Sequence, residues 1–137
     1  INGVPASLET YNVVVETPGH LKTYTPFIPG FELKGEEYGR FINGGTKMSL
    51  AGDVNSDSLI DIKDVRDIVE YYGKENPEIQ TYDLNQDGVV NETDVRFIEK
   101  NFLTKGPDAP KGKSPKETNG KKDLAYYLNM MGLEPTE

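Results

Sequence analysis

Asp53, Asn55, Asp57, Asp61 and Asp64 put oxygen-bearing side chains at positions 1, 3, 5, 9 and 12 of a twelve-residue stretch. Asp83, Asn85, Asp87, Asn91 and Asp94 repeat the spacing thirty positions later. Carboxylates and amide oxygens at these intervals suit a hard cation. Calcium takes six to eight oxygen ligands, drawn in a loop of this type from positions 1, 3, 5, 9 and 12 and from the main-chain carbonyl of position 7. Leu59 and Val89 hold position 7. The bland alternative is a pair of Asx-rich turns before helices, where Asp and Asn are favoured anyway. The shared register favours the metal reading, with two calcium ions, one per loop.

The loops differ in detail. Position 6 makes a sharp turn that calls for glycine. Gly88 meets that need and Ser58 does not, so strain is expected in the first loop, where a Cβ must sit at positive φ. Position 12 is Asp in both loops, shorter than the usual closing Glu. Asp64 and Asp94 are expected to close each site from the first turn of a helix, where negative charge suits the helix dipole. Ile60 and Val90, at position 8, are expected to pair across the two loops.

Helices must hold these loops. Val65, Ile68, Val69 and Tyr72 recur at i, i+3, i+4 and i+7, and Val95, Ile98 and Phe102 repeat that face. Each half alone exposes an apolar stripe, so the two helices are expected to pack together. Gly73 reads as the cap of the first helix, and Pro77 marks the connector between repeats.

The flanks have other textures. Residues 1–50 are rich in Gly, Pro, Thr and Tyr. Tyr11–Thr17 reads as a strand, Pro18-Gly19-His20 as a turn, and Leu21–Thr25 and Phe31–Leu33 as weaker strands. So few short strands bury little core alone, so this segment reads as the end of a β-sandwich or a β-cap. Residues 105–120 form a Pro/Gly/Lys-rich stretch without apolar periodicity, expected as a flexible linker. Residues 121–137 hold a further helix and tail, with Leu124, Tyr127, Leu128 and Met131 on one face and Gly132 as its stop. A stripe so short and apolar is expected to fold back on the repeats or the β segment. The expected class is therefore α + β: residues 1–50 β-rich, 51–104 the duplicated calcium module, 105–120 linker, 121–137 terminal helix.

The 137 residues suit one small domain with appendages, and the formal charge is −8. Two calcium ions would bring that to about −4. Such a chain gives no support for nucleic-acid or anionic-membrane binding. There is no cysteine, hence no disulfide or thiolate site. No apolar run approaches membrane-spanning length. The chain opens at Ile1, and the expectation is a piece of a longer protein. His20 is the single histidine and reads as a turn residue. No nucleophile motif, zinc spacing or phosphate loop is present, so the fragment is expected to be non-catalytic.

The pair of loops resembles a dockerin module, a duplicated calcium loop–helix unit lacking the entering helix of a full EF-hand. The residues that carry the likeness are Gly52-Asp53-Val54-Asn55, Asp57–Asp64, and Asp83–Asp94 with the helices that follow. The resemblance implies calcium binding and recruitment of a cohesin partner. It also implies a place at the C-terminal end of a secreted bacterial enzyme, such as a peptidase or a glycoside hydrolase in polysaccharide degradation. It further implies that loop positions 10 and 11 help choose the partner: Ile62 and Lys63 in the first repeat, Glu92 and Thr93 in the second. Those residues lack the Ser-Thr pair common in cellulosomal dockerins, and the repeats differ from each other. The β-rich lead-in before such a tail is similar to the ends of secreted multidomain hydrolases, including subtilisin-like peptidases. Two other readings stand beside this one: a calcium-stabilised appendage that docks intramolecularly, and a carbohydrate-binding fragment with its site in residues 1–50.

Overall fold

The computed structural model describes residues 10–27, 31–33, 36–38, 48–75 and 80–136. It is a mixed structure of helices and short strands, and it divides into two compact units. Pro77 lies outside the described residues.

The first unit takes residues 1–15 and 23–48. Its described parts are two antiparallel ribbons. Strand β1 (Tyr11–Val15) pairs with β2 (Thr23–Phe27), with Val13 opposite Thr25. Strand β3 (Phe31–Leu33) pairs with β4 (Glu36–Tyr38). The β-branched run of β1 favours extended backbone. Pro26 is tolerated in β2 because a two-stranded ribbon has only edge strands. Strand β4 has no marker in the sequence beyond its hairpin neighbour.

The second unit takes residues 16–22 and 49–137. Each calcium-type loop runs into a helix: α1 spans Ile62–Val69 and α2 spans Glu92–Lys100. Val65, Ile68, Val95 and Ile98 are fully buried in one cluster with Ile60, Ile62, Val90 and Leu128. Helix α1 ends at Glu70 rather than at Gly73, which instead turns the chain at φ +83 three residues on.

The extended segments within the loops do not pair with each other as the sequence suggested for Ile60 and Val90. Each pairs with the chain leaving the other repeat's helix. Strand β5 (Leu59–Ile60) is antiparallel to β6 (Thr104–Lys105), beyond α2. Val90 exchanges hydrogen bonds with Gly73 and Lys74, beyond α1, at 2.7 and 3.1 Å. This swap ties the two repeats together through main-chain bonds, while Ile60 and Val90 meet the core with their side chains.

Two straps complete the unit. Residues 16–22, which join β1 to β2, form the first. Leu21 is buried, its N–H donates to Leu50 O at 2.9 Å, and Gly52 N–H donates to Gly19 O at 2.8 Å. Gly19 has φ +71, and a Cβ there would lie 2.4 Å from Thr81 O and from Leu84 Cδ2, so a glycine is required. His20 is a turn residue, with Nδ1 2.8 Å from Pro18 O.

The second strap is the segment expected as a flexible linker. Its ends are held. Gly106 is buried and donates to Ser58 O at 2.8 Å, while Lys116 bonds to Asp61 and Ile62. It leads to helix α3 (Leu124–Met130), capped by Asp123, whose side chain accepts from Tyr126 N–H. The helix ends in a Schellman arrangement, with Gly132 N–H bonded to Asn129 O and Leu133 N–H to Leu128 O. It packs on α1, burying Tyr127 and Leu128, so the apolar stripe finds its partner within the unit.

Candidate metal centre

Each loop is built by the same set of Asx hydrogen bonds. In the first, the Asp53 carboxylate accepts from Asp57 N–H and Ser58 N–H, both at 3.0 Å. Asn55 Oδ1 accepts from Asp57 N–H at 2.9 Å, and Asp57 Oδ1 from Leu59 N–H at 3.1 Å. In the second, Asp83 accepts from Asp87 and Gly88, Asn85 from Asp87, and Asp87 from Val89, all between 2.9 and 3.1 Å. Short polar side chains that bond their own backbone two to five residues on are what fold such a turn.

Position 12 closes each loop as a helix-capping residue. Asp64 Oδ1 accepts from Val54 N–H and Asn55 N–H, and Oδ2 accepts from Asp61 N–H. Asp94 does the same with Leu84, Asn85 and Asn91. Asp61 and Asn91 are the N-caps of α1 and α2, and both form capping boxes with the residue three on. Asp therefore does at N3 what Glu or Gln does in the usual box. The signal was present in the sequence as an Asx residue with an acid three positions later before an apolar run. Ser58 and Gly88 both take positive φ, +65 and +93, so the strain anticipated at Ser58 is there. Ser56 and Gln86, at position 4, also lie near +60, which the side-chain types did not announce.

The electrostatics ask for a cation. Asp53, Asp61, Asp64, Asp83 and Asp94 are buried carboxyl groups. No buried side-chain nitrogen or oxygen among the described residues lacks a hydrogen-bond partner. Dipoles alone do not neutralise them. Burial pushes Asp64 up to about 8, with the Asp53 and Asp57 charges adding to the effect against the opposing N–H bonds. Burial likewise raises Asp53 and Asp94. Exposed Asp87 is held below the usual range by hydrogen bonds from Asn85 and from Val89 N–H. Lys63, at position 11 of the first loop, brings its Nζ to 3.1 Å from Asp57 Oδ2.

Among the described residues no three His, Cys, Asp or Glu side chains form a ready metal cage. The donor set is mixed: carboxylates, Asn amides and a main-chain carbonyl, with N–H groups fixing the direction of the oxygens. A carboxylate oxygen has two lone-pair sites, so accepting an N–H leaves it able to ligate. The residues present therefore fit an oxygen-loving divalent cation.

The positions at 10 and 11 are not alike. Ile62 is fully buried, and its N–H donates to Lys116 O at 3.1 Å. It belongs to the core cluster of the unit. Lys63 is half-buried against Asp57, whereas Glu92 and Thr93 are exposed. Neither Lys116 nor Arg96 stands in a motif that would single it out in the sequence. Arg96 pairs with Glu92 and Glu99 and donates to Glu134 O.

A duplicated loop–helix pair, each loop closed by Asp at position 12, has the form of an EF-hand-like calcium loop unit. Residues 51–103 match the family model of the type I dockerin domain, and that segment is a dockerin module. Dockerin domains bind calcium, typically dock on cohesin modules and are not themselves catalytic. No curated protein and no solved structure matched the chain. Among the described residues, no helix is long and apolar enough to cross a membrane.

Proposed function

We propose that this chain binds two calcium ions, one per loop, and uses the module to attach a secreted bacterial enzyme to a cohesin-type partner. Asp53, Asn55, Asp57, Asp61 and Asp64 with the Leu59 carbonyl would hold the first ion. Asp83, Asn85, Asp87, Asn91 and Asp94 with the Val89 carbonyl would hold the second. Positions 9, Asp61 and Asn91, act through water in loops of this kind. Residues 1–50 are then the end of a preceding β-rich domain, and Lys63, Glu92 and Thr93 the residues that meet the partner.

The observation that carries this reading is the repetition of one hydrogen-bond scheme in two loops of the same register. Calorimetry on chelator-stripped protein tests it, with two calcium sites expected. A stoichiometry of zero or one at millimolar calcium would count against it. Capture of the calcium-loaded protein by immobilised cohesin modules, abolished by chelator, tests the partner.

The burial of Ile62 beneath the C-terminal segment favours a second reading. In it the module is a calcium-stabilised appendage whose first repeat is spent on intramolecular contacts. Absence of any cohesin binding, with two calcium sites intact, would select it.

A further inference from the structure

Position 9 of the first loop does something its counterpart does not. Asp61 Oδ1 caps α1 by accepting from Lys63 N–H at 2.8 Å. Its Oδ2 accepts from Lys116 N–H at 3.0 Å, fifty-five residues away. The next residue, Ile62, donates its N–H to Lys116 O at 3.1 Å. The loop thus grips Lys116 by both its main-chain polar groups. From Lys116 the chain passes to Asn119, whose Nδ2 donates to the Tyr127 hydroxyl at 3.1 Å, and into α3 on α1. In the second repeat, Asn91 Oδ1 caps α2 and its Nδ2 turns back toward Asp87.

We propose that Asp61 is a latch through which calcium in the first loop controls docking of the C-terminal segment, residues 116–133, on α1. The inference rests on the reading that the first loop holds an ion. The loop carries Asp at positions 1, 5, 9 and 12. Without a cation these like charges repel within a few ångströms, and the arrangement that presents Asp61 Oδ2 and Ile62 N–H to Lys116 is no longer held. With the ion bound, the latch is closed and α3 packs on α1, its Tyr127 and Leu128 in one buried cluster with Ile62 and Val65. Release would bare that apolar surface together with the Leu128 face of α3, giving the module a calcium-dependent hydrophobic surface on the first repeat only.

Amide hydrogen exchange on the full chain reads this. Asp61→Asn keeps an oxygen for the α1 cap and for a water at position 9, as Asn91 does, but sets an NH2 group against Lys116 N–H. In saturating calcium it should speed exchange across 124–131 by roughly tenfold or more, the scale of one lost charge-assisted hydrogen bond. Exchange in α2 should be unchanged. Asp53→Ala, which empties the first loop, should do the same, whereas Asp83→Ala should leave 124–131 protected. Protection of α2 reports that Asp61→Asn and Asp53→Ala are folded, and for Asp83→Ala the protection of 124–131 is itself that report; should Asp53→Ala unfold, Asp61→Asn decides. Calorimetry on the same samples separates the two levels. If the wild-type first loop binds no calcium, the metal reading fails and the latch with it. If it binds calcium and 124–131 exchanges at the wild-type rate in Asp61→Asn, the latch alone is overturned.

Discussion

Position 10 is Ile62 in the first repeat and Glu92 in the second, and the two residues live in different solvents. Ile62 is fully buried under the segment that returns from Lys116, while Glu92 stands exposed beside Arg96. Position 9 shows the same split, with the Asp61 side chain clasping the C-terminal segment and the Asn91 side chain bonding to Thr93 and Asp87 of its own loop. The two loops share one internal hydrogen-bond scheme. What has diverged is the outward side: position 10 of the first repeat is drawn into the core of the unit, and positions 10 and 11 of the second are exposed. A duplication can thus preserve one loop scheme in both copies while the surroundings of each copy diverge.

Removing calcium should have the largest effect and should expose the asymmetry. A ligand that binds only the folded state stabilises it by about 2.7 kcal/mol per site at a hundredfold excess over Kd. Chelation should lower the melting temperature and the helical circular dichroism signal. Emptying one loop at a time sharpens the comparison. Asp53→Ala should cost more than Asp83→Ala, because the first loop leaves more carboxylates uncompensated and a strap depends on it. Equal melting temperatures for the two variants would show that the C-terminal attachment contributes nothing to the difference.

Position 10 gives the next largest contrast. Ile62→Ala removes a fully buried side chain and should cost about 2–5 kcal/mol. Glu92→Ala loses one exposed ion pair with Arg96 and should cost under about 1 kcal/mol. Urea unfolding in saturating calcium measures both. If the pair acts as part of the partner-reading face, Glu92→Ala will weaken cohesin capture while leaving the fold almost untouched.

Much of this was legible in the residues. The period of Val65, Ile68, Val95 and Ile98 marked the helices and their mutual burial, and the Asx spacing marked both loops. The rest depends on contacts that carry no local sign. The dockerin resemblance makes Ile62 partner-facing, although it stands at i, i+3 and i+7 with Val65 and Val69 and so shares the apolar face of the helix, where it is buried. The Pro/Gly/Lys composition of 105–120 speaks for a flexible linker, since main-chain bonds such as those of Gly106 and Lys116 need no particular side chain. Ile60 and Val90 are apolar neighbours in the core, but their backbones pair elsewhere, a choice set by where each helix exits. The dipeptide patterns of residues 16–22 announced a turn, not a strap against Thr81 and Leu84.

Ser58 and Gly88 offer a gentler test. Both sit at positive φ at position 6, where a Cβ costs on the order of 1–2 kcal/mol. Ser58→Gly should stabilise the protein by about 1 kcal/mol at most, since glycine also gains freedom in the unfolded chain. Gly88→Ser should do the reverse. Thermal melts of the calcium-loaded variants check the signs. A destabilised Ser58→Gly would mean that the serine side chain makes a contact worth more than the strain.

The smallest expected effect lies at the tail, where the C-terminal residues reach the second helix. Glu99 Oε1 accepts from Thr136 N–H at 2.7 Å, and Oε2 pairs with Arg96 at 2.7 Å. Burial alone would raise this carboxyl, but the bonds from Arg96 and Thr136 more than offset it and hold it below its ordinary value. A carboxylate depressed in the folded state binds fewer protons there than in the unfolded chain. Its contribution is therefore complete above the unfolded value near 4.3 and fades as the pH falls below it. Residues 134–136 should accordingly lose protection against exchange below about pH 4. Glu99→Gln should abolish that acid-side change, with a stability cost of about 1 kcal/mol at neutral pH, the net scale of one lost hydrogen bond. The first repeat's attachment, built on Asp61 and main-chain bonds around Lys116, does not involve Glu99, so exchange across 116–119 should be the same in Glu99→Gln as in the wild type. A matching change at 116–119 would show that the two C-terminal attachments act as one.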